Sequence, residues 1–166
     1  MTTWRIEPLG KKHDRSDFDC GRDNLNIFIS RHATQNARKD ISRTYVYLPA
    51  DSNVVTGYYT LSSDSITFDT LPDDLAARLP RYPVPTAHLD RLAVDARSQG
   101  RGIGGILLVD ALKRIETLAE QIGICVVTVH ALDDEACGFY HAYGFLGLKD
   151  DPNHLFLPLA TIRKLH

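Results

Sequence analysis

Cysteine is scarce in this chain of 166 residues: Cys20, Cys125 and Cys137 are unevenly spaced and odd in number, which argues against a disulfide framework and for a reducing compartment. No apolar run approaches the length that crosses a bilayer, and the opening MTTWRIEPLGKKHD has no uninterrupted apolar segment of the secretory kind. Charge of one sign is lacking too. Lys and Arg number 19 against 21 Asp and Glu, a net of -2, so the whole chain is not an evident polyanion binder, although a local basic surface remains open. The seven His are scattered, and no Cys/His cluster has zinc spacing, so no metal is expected. These absences leave a soluble, cytoplasmic protein that does not engage a membrane.

What is present suits one compact domain over residues 1–166, with a hydrophobic fraction of 43% to fill its core. Residues 22–31, RDNLNIFISR, place Leu25, Phe28 and Ile29 at helical spacing. The polar stretch after it reads as more helix or as a basic loop. Residues 44–48, TYVYL, and the segment VVTGYYTLS, separated by PADSN, read as a hairpin whose second strand is interrupted at Gly57, a sign of close backbone approach or a bulge. Residues 65–68 suggest another short strand and residues 73–79 a short helix ended by Pro80.

The ordered linker RYPVP leads to AHLDRLAVD, a strand with an irregular middle. Beyond a glycine turn, Ile103, Leu107, Leu108, Ala111, Leu112, Ile115, Leu118 and Ala119 give the clearest helical period in the chain. ICVVTVH at 124–130 reads as a buried strand, Asp133 as the cap of a helix stopped by Gly144, and residues 145–148 and 154–159 as final strands, with LFLPLATI read as packed strand. The expected class is α/β (α+β), a mixed, mostly antiparallel sheet flanked by helices.

The strongest chemical feature is the passage LAVDARSQGRGIGG into the long helix. Backbone N–H groups at a helix start, reinforced by its dipole, suit a pyrophosphate, and Gly100, Gly102 and Gly104 permit close approach and positive φ. Arg101 adds charge at the rim. A P-loop ends in Lys-Ser/Thr, whereas GRGIGG runs into Ile106, and a dinucleotide fingerprint belongs earlier in a repeated βαβ unit.

Gln99-Gly100-Arg101-Gly102-Ile103-Gly104 resembles the Q/R-x-x-G-x-G/A acyl-CoA loop of the GCN5-related N-acetyltransferases, and Phe139-Tyr140 through Gly144-Phe145 resembles their FY-x-x-x-GF segment. The order of the two motifs, with a long helix and a strand between, is the family's. SRTYVY, GYYTLS, LDRLAVD, IGICVVTVHALDDEA and LFLPLATI extend the resemblance to the acetyltransferase toxins of bacterial toxin–antitoxin pairs. It implies the family's fold, acetyl-CoA as donor, and acetylation of the free α-amino group of aminoacyl-tRNA, which blocks translation. The implied partners are a ribbon-helix-helix antitoxin, operator DNA reached through that antitoxin, and a second copy of the chain as homodimer.

By the same resemblance, Leu92, Ala93 and Val94 hold the pantetheine arm, Gln99, Gly100, Arg101, Gly102, Ile103, Gly104 and Gly105 hold the pyrophosphate, and Tyr140 protonates the departing thiolate. A phenol of ordinary acidity is protonated near neutral pH and fits that task. Tyr143 is a pocket candidate. The family often places Asn near the start of this last helix, whereas this chain has Leu132-Asp133-Asp134-Glu135, which favours capping by Asp133. Glu135, His130 and Asp95 have the chemistry of a base, with Asp95 alternatively fixing the turn; an α-amine of pKa about 7 to 8 needs only water.

Arg31, Arg38, Lys39 and Arg43 form a basic cluster suited to RNA phosphates or simply to a solvated face. Resemblance adds weight to Arg43 and to Arg91, either of which can bind phosphate or brace an acidic partner. Trp4, Tyr58 and Tyr59 suit core packing better than base stacking. The competing functions are acetylation of a small amine or protein N-terminus, and CoA binding without catalysis.

Overall fold

The computed structural model describes residues 3–165. Along the chain run β1 (Trp4–Pro8), α1 (Asp23–Ile27), α2 (Ala33–Arg38), β2 (Arg43–Pro49), β3 (Gly57–Ile66), α3 (Asp73–Ala76), β4 (Val84–Val94), α4 (Ile103–Leu118), β5 (Val126–His130), α5 (Asp134–Ala142), β6 (Leu146–Gly147), β7 (His154–Pro158) and α6 (Leu159–Arg163). The strands are hydrogen-bonded in the order β1-β2-β3-β4-β5-β7-β6. β4 and β5 run parallel, while β1 with β2, β2 with β3, β5 with β7 and β6 with β7 run antiparallel. This is the mixed α/β sheet expected. The chain divides into two compact units, one reaching Ser62 and adding Asp90–Lys113, the other holding Ser63–Leu89 and the residues from Arg114 on.

In the first unit the core gathers Phe18, Leu25, Phe28, Ile29, Val46, Leu48, Val55, Tyr58 and Ala93. Tyr58 and Tyr59 are fully buried on opposite faces of β3, as strand alternation requires. Each phenol finds a partner: Tyr58 donates to the Leu25 carbonyl at 2.7 Å and Tyr59 to the Asp110 carboxylate at 2.6 Å. Both are packing residues, and Trp4 stacks on Tyr47 at 5.6 Å. Fully burying such a side chain contributes about 1.5–3 kcal/mol.

The stretch after α1 stays helical. A π-helical turn, Phe28–His32, joins α1 to α2. Such a turn disturbs the regular ladder, and Arg15 donates to the Ile29 carbonyl at 2.9 Å. Gly57 opens β3 rather than interrupting a strand. A Cβ there would lie 3.0 Å from Leu107 Cδ1 and 3.1 Å from the Ala93 carbonyl, so the close approach inferred from sequence is real.

The second unit packs Ile66, Leu71, Val84, Val126, Leu148 and Phe156, with Cys125 partly buried against them. Residues 65–68 are not a separate strand: β3 continues to Ile66, and a 3-10 turn, Phe68–Thr70, follows, with Thr70 Oγ1 bonded to the Thr67 carbonyl at 2.8 Å. LFLPLATI is strand only to Pro158, where the ring ends β7 and Leu159 starts α6, burying Leu159 and Ile162. Asp133 caps α5 by accepting from the Ala136 N–H at 2.8 Å, and Gly144 ends the segment at φ 95°.

Candidate functional site

The glycine turn takes the form its sequence requires. Asp95 leaves β4, a 3-10 turn covers Ala96–Ser98, and Gln99 is extended before Gly100 and Gly102 adopt φ 82° and 80°. These left-handed angles are strained for any residue with a Cβ. Space around both glycines is open, with nothing within 4 Å of a built Cβ, so conformation and not crowding demands glycine. The backbone bond from Ile106 N–H to the Gly102 carbonyl marks the start of the α4 ladder. The amides of Ile103, Gly104 and Gly105 therefore precede the ladder, available to an anion at the positive end of a 16-residue helix. Ile103 is buried and anchors that end, whereas Arg101 is exposed.

Gln99 turns inward. Its side-chain amide donates to the Val94 carbonyl at 3.0 Å and to the Cys20 carbonyl at 3.3 Å. The side chain thus braces the turn. Leu92 and Val94 are half-buried and Ala93 is buried, so these residues also serve as strand packing.

Asp95 is committed to hydrogen bonds at the base of the turn. Its carboxylate, 4% exposed, accepts from Arg97 Nε at 2.9 Å, Arg97 Nη2 at 2.9 Å, the Arg97 amide at 3.0 Å and the Asp19 amide at 3.1 Å. The Arg97 hydrogen bonds, chiefly, hold this carboxyl far below the ordinary range despite its burial. The alternative role of fixing the turn is the one its surroundings suit. Sequence reasoning missed Arg97 and the Asp19 segment: Asp-x-Arg spacing hints at the pair, but nothing local reveals a partner so remote in sequence.

In the second unit, Tyr140 lies buried in α5, with Phe139 and Phe145 ring centroids at 5.1 and 5.5 Å. Burial pushes its phenol well above the ordinary tyrosine value, so the proton is retained throughout the neutral range. Such a group can donate a proton or hydrogen bond to developing negative charge. Tyr143 is 38% exposed, 5.2 Å from Phe139. Glu135 is exposed in the first turn of α5. His130 is exposed and stacks on His154 at 4.0 Å and 12°, with His88 at 5.7 Å from it. This histidine row escaped the linear sequence because strand pairing assembles it.

The basic residues separate into kinds. Arg31, Arg38 and Lys39 are exposed on the π-helical turn and at the end of α2. Arg43 is committed locally: it donates to the Ala37 carbonyl at 2.8 Å and to Asp40 at 2.6 Å, closing the C-terminal end of α2 beside the left-handed Asp40, φ 60°. Arg91 lies over Phe28, its Cζ 3.8 Å from the ring centroid, in a cation–π contact. No group of His, Cys, Asp and Glu suited to a metal occurs among the described residues, and none of their helices is long and apolar enough to cross a membrane.

The family model for an acetyltransferase (GNAT) domain matches residues 17–154. A probable toxin TacT of Sinorhizobium fredii is 38% identical over 96% of this chain and 93% of its own length. A tRNA-acetylating toxin of Mycobacterium tuberculosis is 38% identical over 92% of this chain and 90% of its own. Among solved structures, AtaT complexed with acetyl-methionyl-tRNAfMet superposes with TM-score 0.92 at 32% identity, covering 98% of each chain. AtaTR bound with AcCoA matches at TM-score 0.84, 32% identity and 99% of each chain. The AtaT–AtaR complex bound to DNA matches at TM-score 0.75 and 32% identity, over 97% of this chain and 98% of that one.

Proposed function

The chain belongs to the GNAT acetyltransferases, and from that membership we propose that residues 1–166 act as a single acetyl-CoA-dependent N-acetyltransferase domain, a toxin that acetylates the α-amino group of aminoacyl-tRNA. The observation that carries the donor half is the turn with Gly100 and Gly102 left-handed at the head of α4. The acceptor half rests on the two toxins that are 38% identical over nearly the whole chain, together with exposed Arg31, Arg38 and Lys39.

Acetyl-CoA supplies an activated thioester. The amides of residues 99–105 and the dipole of α4 hold its pyrophosphate, with Arg101 at the rim. Leu92, Ala93 and Val94 line the pantetheine path; the Val94 carbonyl, engaged by Gln99, holds the end of the strand in place. The amine attacks the carbonyl carbon, loses a proton to water, and the carbon–sulfur bond breaks. Tyr140 donates its phenolic proton to the departing sulfur and is afterwards reprotonated by solvent. Burial raises its pKa, so the phenol is protonated at neutral pH when acetyl transfer begins. No protein base is required, because an α-amine with pKa about 7 to 8 is substantially neutral at physiological pH.

Arg38 and Lys39 meet tRNA phosphates, with Arg91, held over the Phe28 ring, as a further cation. Arg43 contributes mainly by finishing α2. The product amine becomes an amide whose lone pair is delocalised, so the aminoacyl group can no longer act as the nucleophile in peptide-bond formation. A ribbon-helix-helix antitoxin is the proposed restraint, operator DNA its target, homodimer the proposed assembly and the cytoplasm the proposed location.

The test is transfer of label from acetyl-CoA into charged and deacylated tRNA pools over a salt series. Label confined to charged tRNA and falling with salt supports this reading. Label appearing only on small amines or protein N-termini, with charged tRNA untouched, overturns the acceptor half and leaves the donor half standing.

A further inference from the structure

We propose that Asp95 and Arg97 are positioning residues for the donor, locking the pyrophosphate turn to the segment Asp17–Gly21 that leads into α1. This rests on the assignment of residues 99–105 to the donor. The two left-handed glycines have no heavy atom within 4 Å of where a Cβ would stand, so no packed side chains support the turn there. Instead it is gripped at its base. The Asp95 carboxylate collects four N–H groups, three from Arg97 and one from the Asp19 amide. Arg97 Nη2 also reaches the Asp17 carbonyl at 3.0 Å, and the Ala96 amide donates to the Asp19 carbonyl at 2.8 Å. Gln99 adds its bond to the Cys20 carbonyl.

From there the chain of bonds continues into α1. Asp19 Oδ1 accepts from the Gly21 amide and from Asn26 Nδ2, both at 2.9 Å, while Asn26 Oδ1 accepts from the Cys20 amide at 2.9 Å. Gly21 takes φ 89° to close this lead-in. A turn fixed before the ligand arrives loses less conformational entropy on binding. The same bonds make the order of the turn and the order of the lead-in to α1 a single property.

Asp95 also sets a sign that separates positioning from direct charge recognition. A carboxylate near an anion site is unfavourable by itself, and Arg97 neutralises it. If Arg97 served as a ligand for the phosphates, Asp95→Asn would free its charge and tighten binding. If the pair positions the turn, the same substitution replaces an acceptor oxygen by a donor facing N–H groups and weakens binding.

The experiment is calorimetric binding of CoA to the full chain, wild type against Asp95→Asn, Arg97→Lys and Arg97→Ala, with donor KM and kcat measured on the same preparations. Because Arg97 is 69% exposed, its variants keep the test available if Asp95→Asn fails to fold. Expected is a rise in Kd on the order of tenfold for Asp95→Asn and Arg97→Ala, with a smaller rise for Arg97→Lys. Donor KM rises in step while kcat at saturating donor stays within roughly threefold. Faster amide exchange at Asp19 and Gly21 accompanies it. Wild-type binding with Asp95→Asn equal or tighter, or with folded Arg97→Ala unchanged, overturns the positioning role. Absence of CoA binding by the wild type overturns the donor assignment itself.

Discussion

In the proposed reaction the glycine turn and helix α5 are assigned opposite means of contributing. The role proposed for the turn rests on its backbone: Gly100 and Gly102 supply conformation, the Gln99 side chain folds back onto the Val94 carbonyl, and the charged groups at its base are spent on one another. The role proposed for helix α5 rests on one side chain, the phenol of Tyr140, buried beside Phe139 and Phe145, and that burial raises its pKa. A backbone site is therefore damaged by adding atoms and a side-chain site by removing one. On that proposal, damage to the backbone site weakens donor binding gradually, whereas loss of the Tyr140 hydroxyl acts on the chemical step.

The largest effect is expected at Tyr140. Tyr140→Phe removes one oxygen from a buried ring and should leave fold and donor affinity intact while lowering kcat on the order of 10² to 10⁴-fold. Single-turnover acetyl transfer checks this, and the wild-type rate should show no tyrosine ionisation below the ordinary tyrosine range, because burial raises that pKa. A fall in donor affinity with kcat preserved would make Tyr140 a packing residue and erase the contrast.

Gly102→Ala tests the other side. The added methyl meets open space but must hold φ near 80°, a penalty of about 1–2 kcal/mol. Donor KM should rise on the order of tenfold with kcat little altered, as steady-state kinetics over acetyl-CoA concentration would show.

The basic residues sharpen the comparison at the acceptor. Arg38→Glu and Lys39→Glu should raise tRNA KM several-fold and flatten its salt dependence without changing donor KM. Arg43→Ala should instead lower unfolding stability by about 0.5–1 kcal/mol, through the end of α2. Equal effects of all three on tRNA would return Arg43 to the acceptor surface.

The smallest effect concerns Glu7, remote in sequence from both regions. Hydrogen bonds from His13, then Lys12, bring its carboxyl down to about 2. A depressed folded-state pKa stabilises the fold above the unfolded value of about 4.3, and this contribution disappears as pH falls from there through about 2. Urea midpoints measured across that window should slope less in Glu7→Gln than in wild type.

The difference between turn and helix also explains what the sequence makes legible. Glycines that require positive φ, followed by a helical period, mark a candidate backbone site in consecutive residues, so the left-handed conformation of Gly100 and Gly102 was legible directly. Tyr140 is one aromatic among neighbours of similar type, and only its place in a recognised pattern distinguishes it. Asp95 was legible as chemistry but not as partner: its bond to Asp19 joins residues 76 apart. The row of His88, His130 and His154 is likewise produced by pairing of β4, β5 and β7. Local errors followed from the same limit. Residues 65–68 looked like a strand because of their β-branched side chains, yet β3 continues through them only to Ile66. Pro158 allows strand residues before it and helix after it, so apolar composition alone could not divide LFLPLATI.

Acetylation of the α-amine is tested most directly on the product. Charged tRNA incubated with acetyl-CoA and either wild type or Tyr140→Phe is treated with mild base to release its amino acids, which are then identified by mass spectrometry. Expected is an N-acetyl amino acid from the wild-type reaction, strongly reduced with Tyr140→Phe. Unmodified amino acids from wild-type protein that binds CoA would contradict aminoacyl-tRNA as the acceptor.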